Sequence, residues 1–274
     1  MRPWGMHRTL FVLALGACSF HDPAAAPSSG GGPTDADNGM SPPIDASLEI
    51  AGCHTTNANV RLCVDFEASS LTPISYDGSP LAQKNNVTTQ AVRVMDRLTQ
   101  QAAQLDTQSV LTIAETPTLD ITGDLTIELW ANPQVLPADR YWMFDNNTQY
   151  GMELMMDGTV RCDIGGMVID HPDPISAGSW VHLACVYADG KLSVFVDGSS
   201  TAACRNAPPP PAGGMDGSAI GANISGGQTL MQKFVGGIDN VAIYAEGLSP
   251  QTICQLAGHT NCGPYICATG PPGL

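Results

Sequence analysis

Apolar and polar positions alternate most clearly along residues 179–198, which read SWVHLACVYADGKLSVFVDG. Val181, Leu183, Cys185 and Tyr187 form one alternating run, and Leu192, Val194 and Val196 a second. Successive side chains of a strand point to opposite faces, so each run has one face to bury. Asp189-Gly190 between them supplies the left-handed backbone that a two-residue hairpin turn requires. Asp197-Gly198 ends the second strand in the same way. The stretch therefore predicts a β-hairpin.

Similar runs predict strands along the rest of the chain. They lie at 60–67 (VRLCVDFE), 101–106, 109–113, 117–133 (with Leu125, Ile127 and Leu129 alternating), 141–145, 150–156, 159–163, 167–170, 201–204, 218–222 and 234–244. Asp157-Gly158 predicts another hairpin turn. Pro208 to Pro211 cannot enter a ladder and must be a loop. Ser249-Pro250 places a cap residue before a proline at the first helical position, so a short helix starts there. The outcome is an all-β domain with one C-terminal helix.

Composition fits that class. Charged residues are 14% of the 274, while Gly and Pro together number 50 (29 + 21). Against 26 Asp+Glu stand 11 Lys+Arg. A chain this acidic lacks the basic face that nucleic acid or anionic lipid requires, so both are excluded as partners.

The N-terminus reads as an export signal. Arg2, His7 and Arg8 precede the apolar run 9–17, which is too short to span a bilayer. Leu15-Gly16-Ala17-Cys18 resembles a bacterial lipobox, which implies cleavage before Cys18 and lipidation of its thiol. Residues 1–17 are then a lipoprotein signal peptide, and the mature charge becomes −17, from 9 basic and 26 acidic residues. Residues 18–49 are Pro-, Gly-, Ser- and Asp-rich with little to bury, and are expected to form a disordered tether. The expected location is the outer membrane or cell surface of a bacterium, with the membrane met only through the anchor.

Eight cysteines remain once Cys18 is set aside, an even number suited to disulfides in an exported protein. Cys53 and Cys63 flank a short loop and Cys254 and Cys262 the end of the helix, so each pair is expected to bond. Zinc is disfavoured, since no C-x-x-C or paired-His spacing occurs.

Three segments resemble laminin G-like, concanavalin A-like jelly-roll domains: TLDITGDLTIELWANP, the hairpin from Trp180 to Gly198, and FVGGIDNVAIY followed by the helix. The resemblance implies a sandwich of two antiparallel sheets over residues 50–267, with 268–274 as a tail. It also implies a Cys162–Cys185 pair, on strands expected to be neighbours, which leaves Cys204 with Cys267. One structural calcium ion is a further implication, with Glu67, Asp239 and Asp77 as candidate ligands. Against that stands Asp239 merely bonding backbone amides. Trp130, Trp180 and His182 fall on family positions and read as scaffold.

No catalytic motif is present. The E-x-D-x-x-E of laminarinase-type relatives is missing, as are G-x-S-x-G, H-E-x-x-H and phosphate-binding loops. Glu153 and Asp157 share a strand face, but Asp157 is explained by its turn. Asn86, Asn146 and Asn223 open N-x-[ST] sequons that read as chance matches. The expected function is a non-catalytic binding module for carbohydrate or an extracellular protein. Tyr141, Trp142 and Tyr150 are candidate sugar-stacking residues, with core packing as the competing role. The alternatives are a glycoside-cleaving enzyme with a dispersed carboxylate pair, and a structural envelope protein without a small ligand.

Overall fold

The computed structural model describes residues 57–66, 74–77, 87–90, 93–97, 100–199, 201–213, 216–226 and 229–269. Two large sheets pack face to face. Sheet A follows the order β19 (Ile266–Thr269), β14 (Thr201–Asn206), β13 (Lys191–Val196), β12 (Val181–Ala188), β7 (Leu125–Pro133), β18 (Gly236–Tyr244), β1 (Val60–Asp65) and β2 (Ile74–Asp77). To it β5 (Gln100–Leu105) adds beside β18, and β4 (Arg93–Arg97) beside β5. Sheet B follows the order β11 (Met167–Asp170), β10 (Val160–Ile164), β9 (Tyr150–Met155), β8 (Arg140–Asn146), β15 (Ser218–Ile220), β6 (Val110–Ile113) and β3 (Val87–Gln90). A separate two-stranded piece pairs β16 (Asn223–Ser225) with β17 (Thr229–Met231). Among the described residues the architecture is thus the expected all-β sandwich with one short helix, α1 (Pro250–Leu256).

The hairpin of β12 and β13 forms as its pattern demands. Asp189 (φ 50°) and Gly190 (φ 74°) take the left-handed turn conformation. Val181, Leu183, Cys185, Tyr187, Leu192 and Val194 face the core between the sheets, with Leu125, Ile127 and Leu129 beside them on β7. The other face of sheet A is also buried. Ala184, Val186, Phe195, Ala242 and Tyr244 pack there against Leu248 and Ile253 of the α1 region. Helix α1 starts where expected, with Ser249 Oγ accepting the Thr252 N–H at 3.1 Å and Pro250 in the first turn.

A bulge between Asp239 and Ala242, with Asn240 at φ 48°, divides β18. Its first half pairs with β5 and its second half with β1. Bulges bend a strand and re-aim its edge, which lets one strand serve two neighbours.

Disulfides join Cys162 to Cys185, Cys204 to Cys267 and Cys254 to Cys262, as expected. Cys63 is disulfide-bonded too, and Cys53 lies outside the described residues. One expectation is corrected. The Cys162 and Cys185 strands are not neighbours in a sheet: β10 belongs to sheet B and β12 to sheet A. This bridge crosses the core, with the two Cα atoms 5.7 Å apart, against the ~10 Å usual between packed sheets. The sandwich therefore converges at that point. Beyond the antiparallel plan, β19 runs parallel to β14, placing Cys267 beside Ala202 and continuing the ladder to Thr269.

Candidate binding cleft on sheet B

Two hairpins build the floor of a cleft. In β8–β9, Asp145 pairs with Gly151; in β9–β10, Gly151 pairs with Asp163. The three residues form one row across three adjacent strands. Their side-chain positions share the outer face of sheet B, because Phe144, Tyr150, Met152, Cys162 and Ile164 take the core face. Gly151 leaves a gap between the two carboxylates. A Cβ there would sit 2.4 Å from Cζ3 of Trp142, so the indole lies against the glycine backbone. A bulge after Trp142 breaks the strict alternation of β8.

The β16–β17 hairpin forms one wall. Ile224 packs with Ala219, Ala222 and Leu230 on the outer face of sheet B. Its N–H donates to Asp145 Oδ2 at 2.7 Å. Trp142 donates through Nε1 to Gln232 Oε1 at 3.0 Å and through its backbone N–H to Gln232 O at 3.1 Å. The far rim is the Gly165-Gly166 turn, whose Gly166 N–H donates to Asp163 Oδ1 at 2.8 Å. The Asn147-Thr148 turn closes one end, with Thr148 held at φ 69°, a rare conformation for a β-branched residue. The enclosed volume is about 440 Å³.

Electrostatics set this cleft apart from the adjoining surface. Burial pushes the Asp145 carboxyl up to about 7, assisted by the charges of Asp163 and Glu153, while the Ile224 N–H pulls the other way. Burial likewise raises Asp163, partly offset by the Gly166 N–H and by Arg161. The nearby cations are committed elsewhere. Arg140 Nη1 binds Glu153 Oε2 at 3.0 Å, and Arg161 clasps Asp170 through two contacts of 2.6 and 2.9 Å. No cationic side chain lines the cleft.

Of the three aromatic candidates, Trp142 lines the cleft. Tyr150 takes the competing role of core packing, its side chain turned into the core. It lies in near-parallel contact with Phe144, and its hydroxyl donates to Leu119 O at 2.7 Å. Only a small part of Tyr150 reaches the cleft lining. Tyr141 is half-buried, edge-on to the core residue Phe234. Asn146 is buried, its amide donating to Leu119 O, which removes it as a sequon acceptor; Asn86 lies outside the described residues. Among the calcium candidates, Glu67 lies outside the described residues, and so does the side chain of Asp77. Asp239 is fully buried in the β18 bulge, where Oδ1 accepts the Asn240 N–H at 2.9 Å. Among the described residues no group of three His, Cys, Asp or Glu gathers to hold a metal.

The scaffold residues sit on the outer face of sheet A. Glu128 accepts from Tyr244 OH at 3.1 Å and lies 3.1 Å from His182 Nε2. Trp130 contacts His182 edge-on, and the Trp180 ring covers Gly237. Glu153 is buried against Arg140 and Asp157 is exposed in its turn, so the two form no pair.

A model of the concanavalin A-like lectin/glucanase superfamily, of laminin G type, matches residues 105–254. The chain belongs to this superfamily. Its fold is similar to that of the binding domain of Paraclostridial Mosquitocidal Protein 1 (TM-score 0.55, 14% identity, 73% of this chain and 52% of that one). It is similar also to domain 4 of AbnA, an extracellular arabinanase from Geobacillus stearothermophilus solved with arabinotriose (TM-score 0.51, 19% identity, 73% of this chain and 99% of that one). A third likeness is to Trypanosoma rangeli sialidase in complex with sialic acid (TM-score 0.54, 12% identity, 73% of this chain and 33% of that one). The chain thus spans about half of the toxin domain and a third of the sialidase. A search of curated proteins finds no match. No helix among the described residues is long and apolar enough to cross a membrane.

The signal that identifies the cleft was present in the chain. A hairpin turn centred on Thr148 pairs 145 with 151, and the Asp157-Gly158 turn pairs 151 with 163. A glycine inside a strand marks a close approach by another group. Pattern reading favoured aromatic residues instead and left Asp145, Gly151 and Asp163 unremarked.

Proposed function

We propose that this chain is a non-catalytic binding module, held at a bacterial surface by a lipid on Cys18, whose sheet B cleft recognises carbohydrate. The observation that carries the reading is Trp142 set against Gly151 between Asp145 and Asp163. An indole set between two carboxylates offers an apolar contact for the C–H groups of a sugar ring, and the carboxylates accept from its hydroxyls. The likeness to an arabinanase domain along nearly all of that domain's length supports a glycan as ligand class. The test is a glycan and polysaccharide array with the full chain, with Trp142→Ala, and with and without EDTA. Binding that disappears in Trp142→Ala is expected; an array with no signal counts against the reading. Loss of binding in EDTA supports the calcium expectation, and indifference to EDTA counts against it.

A second reading is glycoside cleavage. It is favoured by Asp145, whose carboxyl is pushed up to about 7, the range of a general acid. Against it, each of the two cleft carboxylates is held by a backbone amide, Asp145 by Ile224 and Asp163 by Gly166. Reducing ends released by the full chain but not by Asp145→Asn would establish cleavage.

A further inference from the structure

The cleft is a trench floored by two carboxylates with no cation in its lining. Asp145 is 3% exposed, and its Oδ2 is taken by the Ile224 N–H. Among the described residues no group donates to Oδ1. Asp163 gives one oxygen to the Gly166 N–H, and among the described residues no other group is seen donating to it. The arginines that might neutralise these groups are held by Glu153 and Asp170 on the adjoining row. A buried anion whose nearby cations are engaged by other carboxylates is destabilised, and a bound cation relieves that cost. Trp142 is 9% exposed, and the part of its indole that reaches the cleft adds an apolar contact beside the carboxylates.

Building on the proposed carbohydrate-binding role, we propose that the cleft selects amine-bearing sugars, with the exposed part of the Trp142 indole against the sugar ring and Asp145 and Asp163 receiving its protonated amino group. The raised proton affinity of both carboxyls agrees with this, since burial disfavours their charged forms and a bound cation would offset that cost. Acidic sugars are excluded by like charge. The adjacent surface explains why the preference is local: the Glu153 and Asp170 row is already neutralised by its arginines.

The test is calorimetric titration of the full chain, just below neutral pH, with a glucosamine tetramer, its N-acetylated form and a galacturonate tetramer. The glucosamine form is expected to bind about tenfold tighter than the N-acetylated form, and galacturonate not at all. Asp145→Asn and Asp163→Asn, each checked for an unchanged fold by circular dichroism, should bring the two neutral-to-cationic affinities together. Asp157→Asn, at the opposite end of the β9–β10 hairpin, removes the same charge from an exposed turn and should leave the preference intact. Equal binding of the glucosamine and N-acetyl forms overturns the amine assignment while leaving carbohydrate binding standing. A preference that survives both cleft variants, or is lost equally in Asp157→Asn, traces it to the overall acidity of the chain and overturns the assignment too. If no tetramer binds, the amine assignment and the carbohydrate reading fall together. A lysine peptide that binds through Asp145 and Asp163 where glucosamine does not overturns the choice of sugar.

Discussion

The six-membered ring of Trp142 rests against the bare Cα of Gly151, the residue that separates Asp145 from Asp163 across sheet B. Neither residue would form a site alone. The glycine removes a side chain from the middle of a strand, and the indole, held by Gln232 at both its ring and backbone N–H, occupies the height above it. The indole thereby takes the space that a side chain would fill between the two carboxylates.

Gly151→Ala is expected to damage both the cleft and the sheet. The added methyl would lie 2.4 Å from Trp142 Cζ3 and 2.8 Å from the Phe144 carbonyl oxygen. The ring must leave its place, and the carbonyl contact cannot relax without shifting β8. Overpacking of this kind costs about 1–3 kcal/mol. Thermal unfolding should show that loss, and titration with the tightest array glycan should show affinity reduced by about tenfold or more. Wild-type affinity in this variant would remove Trp142 from the site.

Asp145 ties stability to pH. Its carboxyl titrates at about 7 in the folded chain against 3.8 as an ordinary aspartate. Well above pH 7 both states are ionised, and the full cost of burying the charge is present. As pH falls from about 7 towards about 4 the folded state takes up a proton first, so stability from this group rises; below that range both states are protonated and no cost remains. The difference amounts to something on the order of 4 kcal/mol at most. Asp145→Asn keeps an oxygen for the Ile224 N–H and loses the charge. It should therefore melt above wild type at about pH 8, with the gap narrowing towards about pH 4. A gap that is constant with pH would show that Asp145 does not titrate in this range.

Much of the sandwich was legible because its signals are local. The Asp189-Gly190 turn fixes the register of β12 and β13, and period-two alternation fixes which face each strand buries. Ser249 and Pro250 mark the helix by the same local logic. What escaped was non-local. Strands β16 and β17 are three residues each, too short for any period to register, yet Ile224 supplies the amide that holds Asp145. Strand β19 adds in parallel to β14, a pairing of segments some sixty residues apart that no turn announces. Tyr150 alternates correctly with Met152 and Leu154, and by that alternation alone belongs to the core. Of the two roles open to it, stacking and packing, that periodicity favours packing over its nearness to a loop.

The Cys162–Cys185 bridge is expected to carry more of the global stability than its position on two short hairpins suggests. It is the covalent link between sheet A and sheet B among the described residues, and both sulfurs lie in the central core. Closing a loop of 23 residues restricts the unfolded chain by about 3 kcal/mol. Replacing both cysteines with alanine adds a small void to that loss. Denaturant titration should show the midpoint falling accordingly. Removing Cys254–Cys262, which spans 8 residues at the end of α1, should instead loosen the helix terminus and leave glycan affinity unchanged. Equal effects of the two deletions on binding would argue that the sheets do not depend on the inter-sheet bridge.

Glu128 and His182 provide the sharpest test of scaffold against site. Glu128 sits on the outer face of sheet A, accepts a hydrogen bond from the Tyr244 hydroxyl at 3.1 Å, and meets His182 Nε2 at the same distance. All three residues are buried, and burial together with the Glu128 carboxylate keeps the Tyr244 phenol protonated and therefore a donor. Glu128→Ala strands two buried donors, at about 1–3 kcal/mol each. Glu128→Gln should cost much less, because the Tyr244 hydroxyl can rotate to accept from the new amide while the remaining oxygen still serves His182. Measured by thermal unfolding, the order of stability should be wild type, then Gln, then Ala. Glycan affinity at a temperature where each variant is folded should stay constant across the three, since the sheet B cleft shares no side chain with this cluster. A variant that folds like wild type but loses binding would move the site to sheet A and give His182 a functional role.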